Sequence, residues 1–123
     1  MSNDTVTWFE VASDDAKATE EFYGELFGWT FASDPNSAAE GMDYRLISYR
    51  GAQAPSGGFM VTGGQLPNHA VFYVQVADIK DACERAEKLG ATVVHASPDS
   101  STPFAYLKDR SGNQFAIFTP GSK

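Results

Sequence analysis

Cysteine and histidine are both scarce in this chain, which holds one cysteine, Cys83, and two histidines, His69 and His95. A single thiol excludes an intramolecular disulfide and any metal cage built from cysteines. No apolar run approaches the roughly 18 residues that a membrane-spanning helix needs. The first residues also lack the basic and apolar regions of a signal peptide. The sequence therefore predicts a cytoplasmic protein without disulfides.

Positively charged residues are also few. Nine lysines and arginines stand against sixteen aspartates and glutamates, so the formal net charge is −7, and no basic run occurs. A nucleic-acid backbone or an anionic membrane surface would repel such a chain. We therefore predict no nucleic-acid partner and no membrane partner.

Apolar and aromatic residues are present in the amounts that a folded domain requires. They make up 42% and 13% of the 123 residues. A chain of this length suits one domain with one core. Wholesale disorder is therefore not expected.

A strand–helix–strand–strand–strand pattern occurs twice along the chain. In the first half, strands are predicted over 6–11, 29–32, 44–49 and 58–61, a loop over 34–41, and a helix from an N-cap at Ser13 to a stop at Gly28. In the second half, strands are predicted over 70–76, 91–96, 104–108 and 113–118, and a helix from an N-cap at Asp78 to Gly90. The repeat indicates two similar modules.

Helical spacing of apolar residues predicts which face of each helix is buried. In the first helix the expected core residues are Phe22, Tyr23, Leu26 and Phe27, and the residues expected in water are Lys17, Glu20, Glu21 and Glu25. In the second helix Cys83 falls on the apolar face, which predicts an inert thiol rather than a nucleophile.

Three segments of the chain resemble the vicinal-oxygen-chelate superfamily, which includes glyoxalases, bleomycin-resistance proteins and extradiol dioxygenases. They are WFEVASDDAKATEEFYGELFGW, VFYVQVADIKDACERAEKLGATVV and LKDRSGNQFAIF, the last with Arg110 where proline is usual in this family. The resemblance implies an α+β fold in which two tandem βαβββ modules form a curved mixed-sheet cup with the helices outside. The modules would span about 5–62 and 68–119 of a single domain covering 1–123.

The resemblance also locates the positions at which metal-dependent relatives carry histidine or carboxylate ligands. These positions fall on Trp8, Val71 and Ala116, with a fourth near 58–61 that offers no ligand type. None of these residues can hold a hard cation, so we predict no metal and no cofactor. Glu10 and His69 are the most that can be assembled instead, and a non-standard site built on that pair stays open. His95 is expected to lie away from His69.

Strand alternation suggests where a ligand would bind. Trp8 shares a strand face with Glu10, and His69 shares one with Tyr73. With Tyr106, these are the predicted ligand-contacting residues. The alternatives are core packing for the aromatic residues, an exposed position at the rim for His69, and neutralisation of Glu10 by Arg45.

Three functions remain open at this stage. The first is metal-free binding of a small molecule, such as the sequestration of a xenobiotic or metabolite. The second is a glyoxalase-like lyase or isomerase that removes a proton next to a carbonyl, with Glu10 as general base and Tyr73 or His69 as polarising donor. The third is a dimeric interaction module without a ligand. The resemblance further implies a homodimer.

Overall fold

The computed structural model describes residues 3–39, 43–63, 67–100 and 102–120. It divides into two compact units. The first unit runs from Trp8 to Ala70, and the second contains the chain from Val71 onward together with the residues before Trp8. Within the described residues, no helix is long and apolar enough to cross a membrane.

The predicted order of elements is confirmed. The first half consists of β1 (Thr5–Ser13), α1 (Ala16–Phe27), β2 (Thr30–Ser33), α2 (Pro35–Ala39), β3 (Tyr44–Ser48) and β4 (Gly57–Val61). The second half consists of β5 (His69–Gln75), α3 (Ile79–Lys88), β6 (Thr92–Ser97), β7 (Phe104–Lys108) and β8 (Gln114–Phe118). Apart from α2, each half has the predicted βαβββ pattern.

The strands pair in the same way in both halves. In the first the order is β2-β3-β4-β1, where β1 and β4 are parallel and the other pairs are antiparallel. In the second the order is β5-β8-β7-β6, where β5 and β8 are parallel and the other pairs are antiparallel. This repeated mixed pairing confirms the α+β class and the two βαβββ modules.

In the second unit, α3 covers an apolar core on one face of the sheet. The buried members of this core are Val76, Ile79, Ala105, Leu107 and Ile117. Cys83 packs against them from α3, and loss of solvent there raises the pKa of its thiol. A thiol with a raised pKa holds less thiolate at neutral pH, which supports the prediction of an inert cysteine.

Helix α1 packs differently from the prediction. Phe22, Leu26 and Phe27 have exposed fractions of 59%, 57% and 50%, so their assignment to the core is wrong, and Tyr23 is half-buried. Glu20, expected in water, is instead half-buried, and Arg45 of β3 donates a hydrogen bond of 2.5 Å to its carboxylate. The ion pair turns the Glu20 side of the helix towards the sheet.

The start of α1 and the loop after β2 also differ from the prediction. The N-cap of α1 is Asp15 rather than Ser13, because the Asp15 carboxylate accepts the backbone N–H of Ala18. Ser13 ends β1, and its hydroxyl accepts the backbone N–H of Asp15. Residues 35–39 of the predicted loop form the short helix α2, and Gly41 lies outside the described residues. The stop at Gly28 is confirmed by its left-handed φ of 77°.

Candidate functional site

Strand β1 presents two different faces in the first unit. Phe9 and Val11 share a face with Phe59 and Arg45, and this face lies under α1, because Arg45 bonds Glu20 of that helix. Trp8 and Glu10 point to the opposite face. The predicted ligand-contacting residues of β1 therefore lie on the face away from the helix.

Glu10 and His69 make a largely buried polar contact on that face. The Glu10 side chain is 2% exposed, the His69 side chain is 13% exposed, and His69 Nε2 lies 2.8 Å from Glu10 Oε2. His69 is the first residue of β5, one residue before the predicted start of that strand, and its side chain is largely buried rather than exposed at a rim. The pair anticipated from the sequence is thus brought into direct contact.

Tyr44 is a residue of this face that sequence reasoning missed. The Trp8 indole N–H donates a hydrogen bond of 3.2 Å to the Tyr44 hydroxyl. Gly58 of β4 is the register partner of Glu10, and a Cβ at Gly58 would overlap the Tyr44 hydroxyl and ring. Tyr44 therefore occupies the space that a side chain beside Glu10 would fill. Glycine inside a strand often marks such a close approach, and Gly57-Gly58 was the available signal.

Arg45 is not a partner of Glu10. Its guanidinium donates hydrogen bonds to Glu20 and Asp43 on the helix side of the sheet, and these bonds, first to Asp43 and then to Glu20, raise the Arg45 pKa. The proposed neutralisation of Glu10 by Arg45 is therefore wrong. The carboxylate is instead bonded to an imidazole.

The second unit contains the other two predicted ligand residues. The Tyr73 hydroxyl donates a hydrogen bond of 3.1 Å to the Tyr106 hydroxyl, and both residues are buried. Ala116 of β8 is the register partner of both tyrosines, and its small side chain leaves room for the two phenols. Phe118 and Phe104 make edge contacts with these rings. The tyrosines thus form a pair inside an aromatic cluster.

The positions that the resemblance assigns to metal ligands do not fit a cation here. Trp8 offers an indole N–H that is already donated to Tyr44, and Val71 and Ala116 are buried apolar residues. Gly58 has no side chain, and its place is taken by Tyr44. Within the described residues, no group of three or more His, Cys, Asp or Glu could hold a metal ion. Glu10 and His69 together supply two ligands, and metal sites in proteins usually have three or more protein ligands.

Two surface cavities lie away from these residues. One of about 340 Å³ lies at the start of α3, lined by Asp78, Ile79, Pro98 and Pro103 among others. The second, of about 200 Å³, lies between α3 and the sheet beside Leu89 and Phe115. Neither contains a predicted ligand residue, and neither holds a buried charged side chain. We therefore take the Glu10 face of the first unit as the candidate site.

A family model described as a glyoxalase-like domain matches residues 8–118. The match covers most of the chain, so this protein belongs to that family and to the vicinal-oxygen-chelate superfamily, as the sequence segments indicated. Among the curated proteins that were compared, none matches the chain.

Solved structures with the same fold include methylmalonyl-CoA epimerases. The enzyme from Mycobacterium tuberculosis superposes with a TM-score of 0.62 at 14% identity, covering 99% of this chain and 93% of its own. A variant of the Streptomyces coelicolor epimerase, in complex with 2-nitronate-propionyl-CoA, gives 0.63 at 14% identity, covering 98% and 100%. A hypothetical protein from Bacillus halodurans gives 0.65 at 10% identity, covering 97% and 96%. At these identities the likeness shows the fold alone.

Proposed function

We propose that this protein binds a small organic molecule, without a metal, on the face of the first unit that carries Trp8, Glu10, Tyr44 and His69. We further propose that it does so as a cytoplasmic homodimer. The observation that carries the proposal is the buried contact between Glu10 and His69. Ligand pockets typically combine apolar walls with a few placed polar groups, which is the composition of this face.

The energetics of Glu10 support a functional role over a purely structural one. Burying a carboxylate is costly even when it is paired, and apolar residues of similar volume often serve stability equally well. A side chain 2% exposed is therefore an expensive choice for packing alone. Trp8 would supply stacking area, while Tyr44 and His69 would orient the ligand by hydrogen bonds.

Fluorescence of Trp8 tests the binding proposal. A Trp29→Phe variant leaves Trp8 as the one tryptophan, since the chain has two. We expect some members of a panel of aromatic and dicarbonyl compounds to change its emission and to raise its melting temperature. Glu10→Gln in this background should weaken the binding of the same compounds by at least about tenfold. This is the loss of affinity expected when one buried hydrogen bond to a charged group is removed. Stabilisation by compounds that leave Trp8 emission unchanged would contradict the site assignment.

Tyr73 and Tyr106 remain predicted ligand residues of the second unit. Tyr106→Phe removes one hydroxyl of the phenol pair and retains its ring contacts. We expect this variant to retain the fold and to lose affinity for compounds that bind the second unit. Unchanged affinity would remove Tyr106 from the ligand-contacting set.

A second candidate function is isomerisation or lyase chemistry by proton abstraction next to a carbonyl. It is favoured by the same contact, because a carboxylate oriented by an imidazole is a suitable general base. Glu10 would take the proton from carbon, and the His69 N–H or the Tyr44 O–H would donate to the enolate oxygen. Delivery of a proton to the adjacent carbon, or to the opposite face of the same carbon, completes an isomerisation. The epimerases that share this fold act on a CoA thioester, which makes methylmalonyl-CoA a sensible first substrate.

Deuterium exchange tests the second candidate. In D₂O, the wild-type protein should exchange the α-hydrogen of methylmalonyl-CoA, as followed by NMR, and Glu10→Gln should abolish the exchange. His69→Gln should slow it without abolishing it, because the base remains. Absence of exchange with CoA thioesters and dicarbonyl compounds, alongside measured binding, would favour the binding protein.

A further inference from the structure

His69 lies at the very start of a strand, where a chain is usually least fixed. It is the first residue of β5, yet its side chain is largely buried and lies 2.8 Å from Glu10. Strand ends open more easily than strand centres, and ordering a side chain costs conformational entropy. A second contact close to His69 would therefore help to keep its ring beside the carboxylate.

Asn68, the residue directly before His69, makes a contact of this kind with Asp14. The Asp14 backbone N–H donates a hydrogen bond of 3.1 Å to the Asn68 side-chain oxygen. The Asn68 side-chain amide donates one of 3.4 Å to the Asp14 carboxylate. An asparagine side chain carries both an acceptor and a donor, so it can bind a backbone N–H and a carboxylate at once. The chain just before His69 is thereby joined to the segment that follows β1.

Asp14 is a well-fixed anchor because Ser13, the residue before it, is bonded on two sides. The Ser13 carbonyl accepts a hydrogen bond of 2.9 Å from the backbone N–H of Thr62, which follows β4. The Ser13 hydroxyl accepts one of 2.9 Å from the Thr19 hydroxyl of α1. Ser13 itself is buried. The segment is thus tied to both the sheet and the helix, and Asn68 binds to a part of the chain that is already held in place.

The contact between Asn68 and Asp14 suits local positioning better than overall stability. Both residues are exposed, and a hydrogen bond in water adds little to the free energy of unfolding. The contact between Glu10 and His69 is largely buried, where electrostatic interactions are stronger. Misplacing an oriented group by about 1 Å can cost about a hundredfold in activity. Loss of the exposed contact should therefore be felt at His69 more than in the fold.

We propose that Asn68 is a positioning residue that holds the His69 imidazole against Glu10. It does so through its contact with Asp14. This inference rests on the proposed function, because it concerns the same site, but it has a readout that needs no ligand. Functional side chains keep a precise geometry when neighbouring hydrogen bonds support them. Without the contact to Asp14, the start of β5 would leave the His69 ring to sample several rotamers, and the site would lose the fixed direction of its imidazole.

Nitrogen NMR of protein labelled in its histidine rings tests the proposal without a ligand. The wild-type His69 ring should show one fixed form with the proton on Nε2, since that nitrogen faces a carboxylate. Asn68→Ala should move the His69 signals towards those of a free imidazole. His95 is the matched control in the same sample, because it is exposed and belongs to the second unit, and its signals should not move. A His95→Gln variant assigns the two rings.

Exchange of the two side chains supplies a second arm. Asn68→Asp removes the amide donor and sets a second carboxylate beside Asp14, so it should disturb the His69 signals at least as much as Asn68→Ala does. Combining Asn68→Asp with Asp14→Asn returns an amide to the contact from the other side and keeps the net charge. This double variant should restore the wild-type His69 signals, because the two substitutions are coupled through one contact. Failure of the folded double variant to restore them would contradict the proposed role.

Binding of the compounds identified with Trp8 is measured separately, and thermal melting checks the fold of each variant. Asn68→Ala should weaken binding by about twofold to tenfold, the range expected for loss of one hydrogen bond. Unchanged His69 signals in Asn68→Ala would overturn the proposal, as would equal disturbance of His69 and His95. A selective change at His69 in a protein that binds none of the compounds would support the positioning role and contradict the proposed ligand site, so the two failures are distinguishable.

Discussion

The two adjacent glycines of β4 serve opposite faces of the same strand. A side chain at Gly57 would overlap the Phe9 ring on the helix side, and one at Gly58 would overlap Tyr44 on the Glu10 side. Neither position tolerates a Cβ without movement of an aromatic ring. The two residues therefore offer a matched pair of substitutions that separates the candidate site from the core.

Gly58→Ala is expected to displace Tyr44 and to break its hydrogen bond with Trp8. Gly57→Ala is expected to displace Phe9 and to leave that bond intact. Both should lower the free energy of unfolding by about 1–3 kcal/mol, the usual result of overpacking. In the Trp29→Phe background, only Gly58→Ala should shift Trp8 emission and weaken ligand binding. Urea unfolding and fluorescence measure both effects, and an equal emission change in both variants would contradict the position assigned to Tyr44.

At the scale of single elements, the turn between β7 and β8 is organised by one carboxylate. Asp109 accepts the backbone N–H groups of Ser111 and Asn113, each at 2.9 Å, and the Asn113 side-chain amide at 3.1 Å. Gly112 supplies the positive φ of 88° that the turn needs. Asp109-Arg110-Ser111-Gly112 thus forms the turn that joins β7 to β8.

These hydrogen bonds, led by those from Asn113, lower the pKa of Asp109 below its usual value. A lowered pKa in the folded state stabilises the fold above the unfolded pKa, and this contribution is lost as pH falls through the folded pKa. Asp109→Ala should therefore reduce the melting temperature at pH 7, and the difference from wild type should shrink below about pH 4. Melting curves across pH 2.5–7 measure this, with Asp99→Ala as an exposed control. A difference that is constant with pH would contradict the role of the charge.

The limits of helix α1 could be predicted from its own residues, but its buried face could not. Its limits followed from turn and capping residues, although the cap moved from Ser13 to Asp15 because Ser13 continues β1. Its buried face did not follow from apolar spacing. Phe22 and Leu26 satisfy the helical period, but the ion pair from Glu20 to Arg45 of β3 decides which side meets the sheet. That choice needs a residue from another element.

At the scale of the whole molecule, the prediction with the clearest readout is the absence of a bound metal. The resemblance assigns ligand positions to Trp8, Val71 and Ala116, with a fourth near 58–61, and no residue at these positions is of a type that holds a divalent cation. Protein purified from metal-supplemented medium should contain well below one Ni, Zn, Mn or Fe per chain by elemental analysis. About one ion per chain, lost in both Glu10→Ala and His69→Ala, would establish instead a non-standard site at that pair.

The sequence by itself determined the class of fold, because turn residues, strand composition and the repeated pattern are local properties. It also singled out Glu10 and His69 as a pair of polar residues on one face of the sheet. Alternation along a strand assigns residues to faces without knowledge of the neighbouring strand. Tertiary structure alone decided that Tyr44 lies beside Glu10, that Arg45 bonds Glu20, and that α1 exposes its aromatic residues. Each of these depends on strand register and on packing between distant segments, which local spacing does not encode.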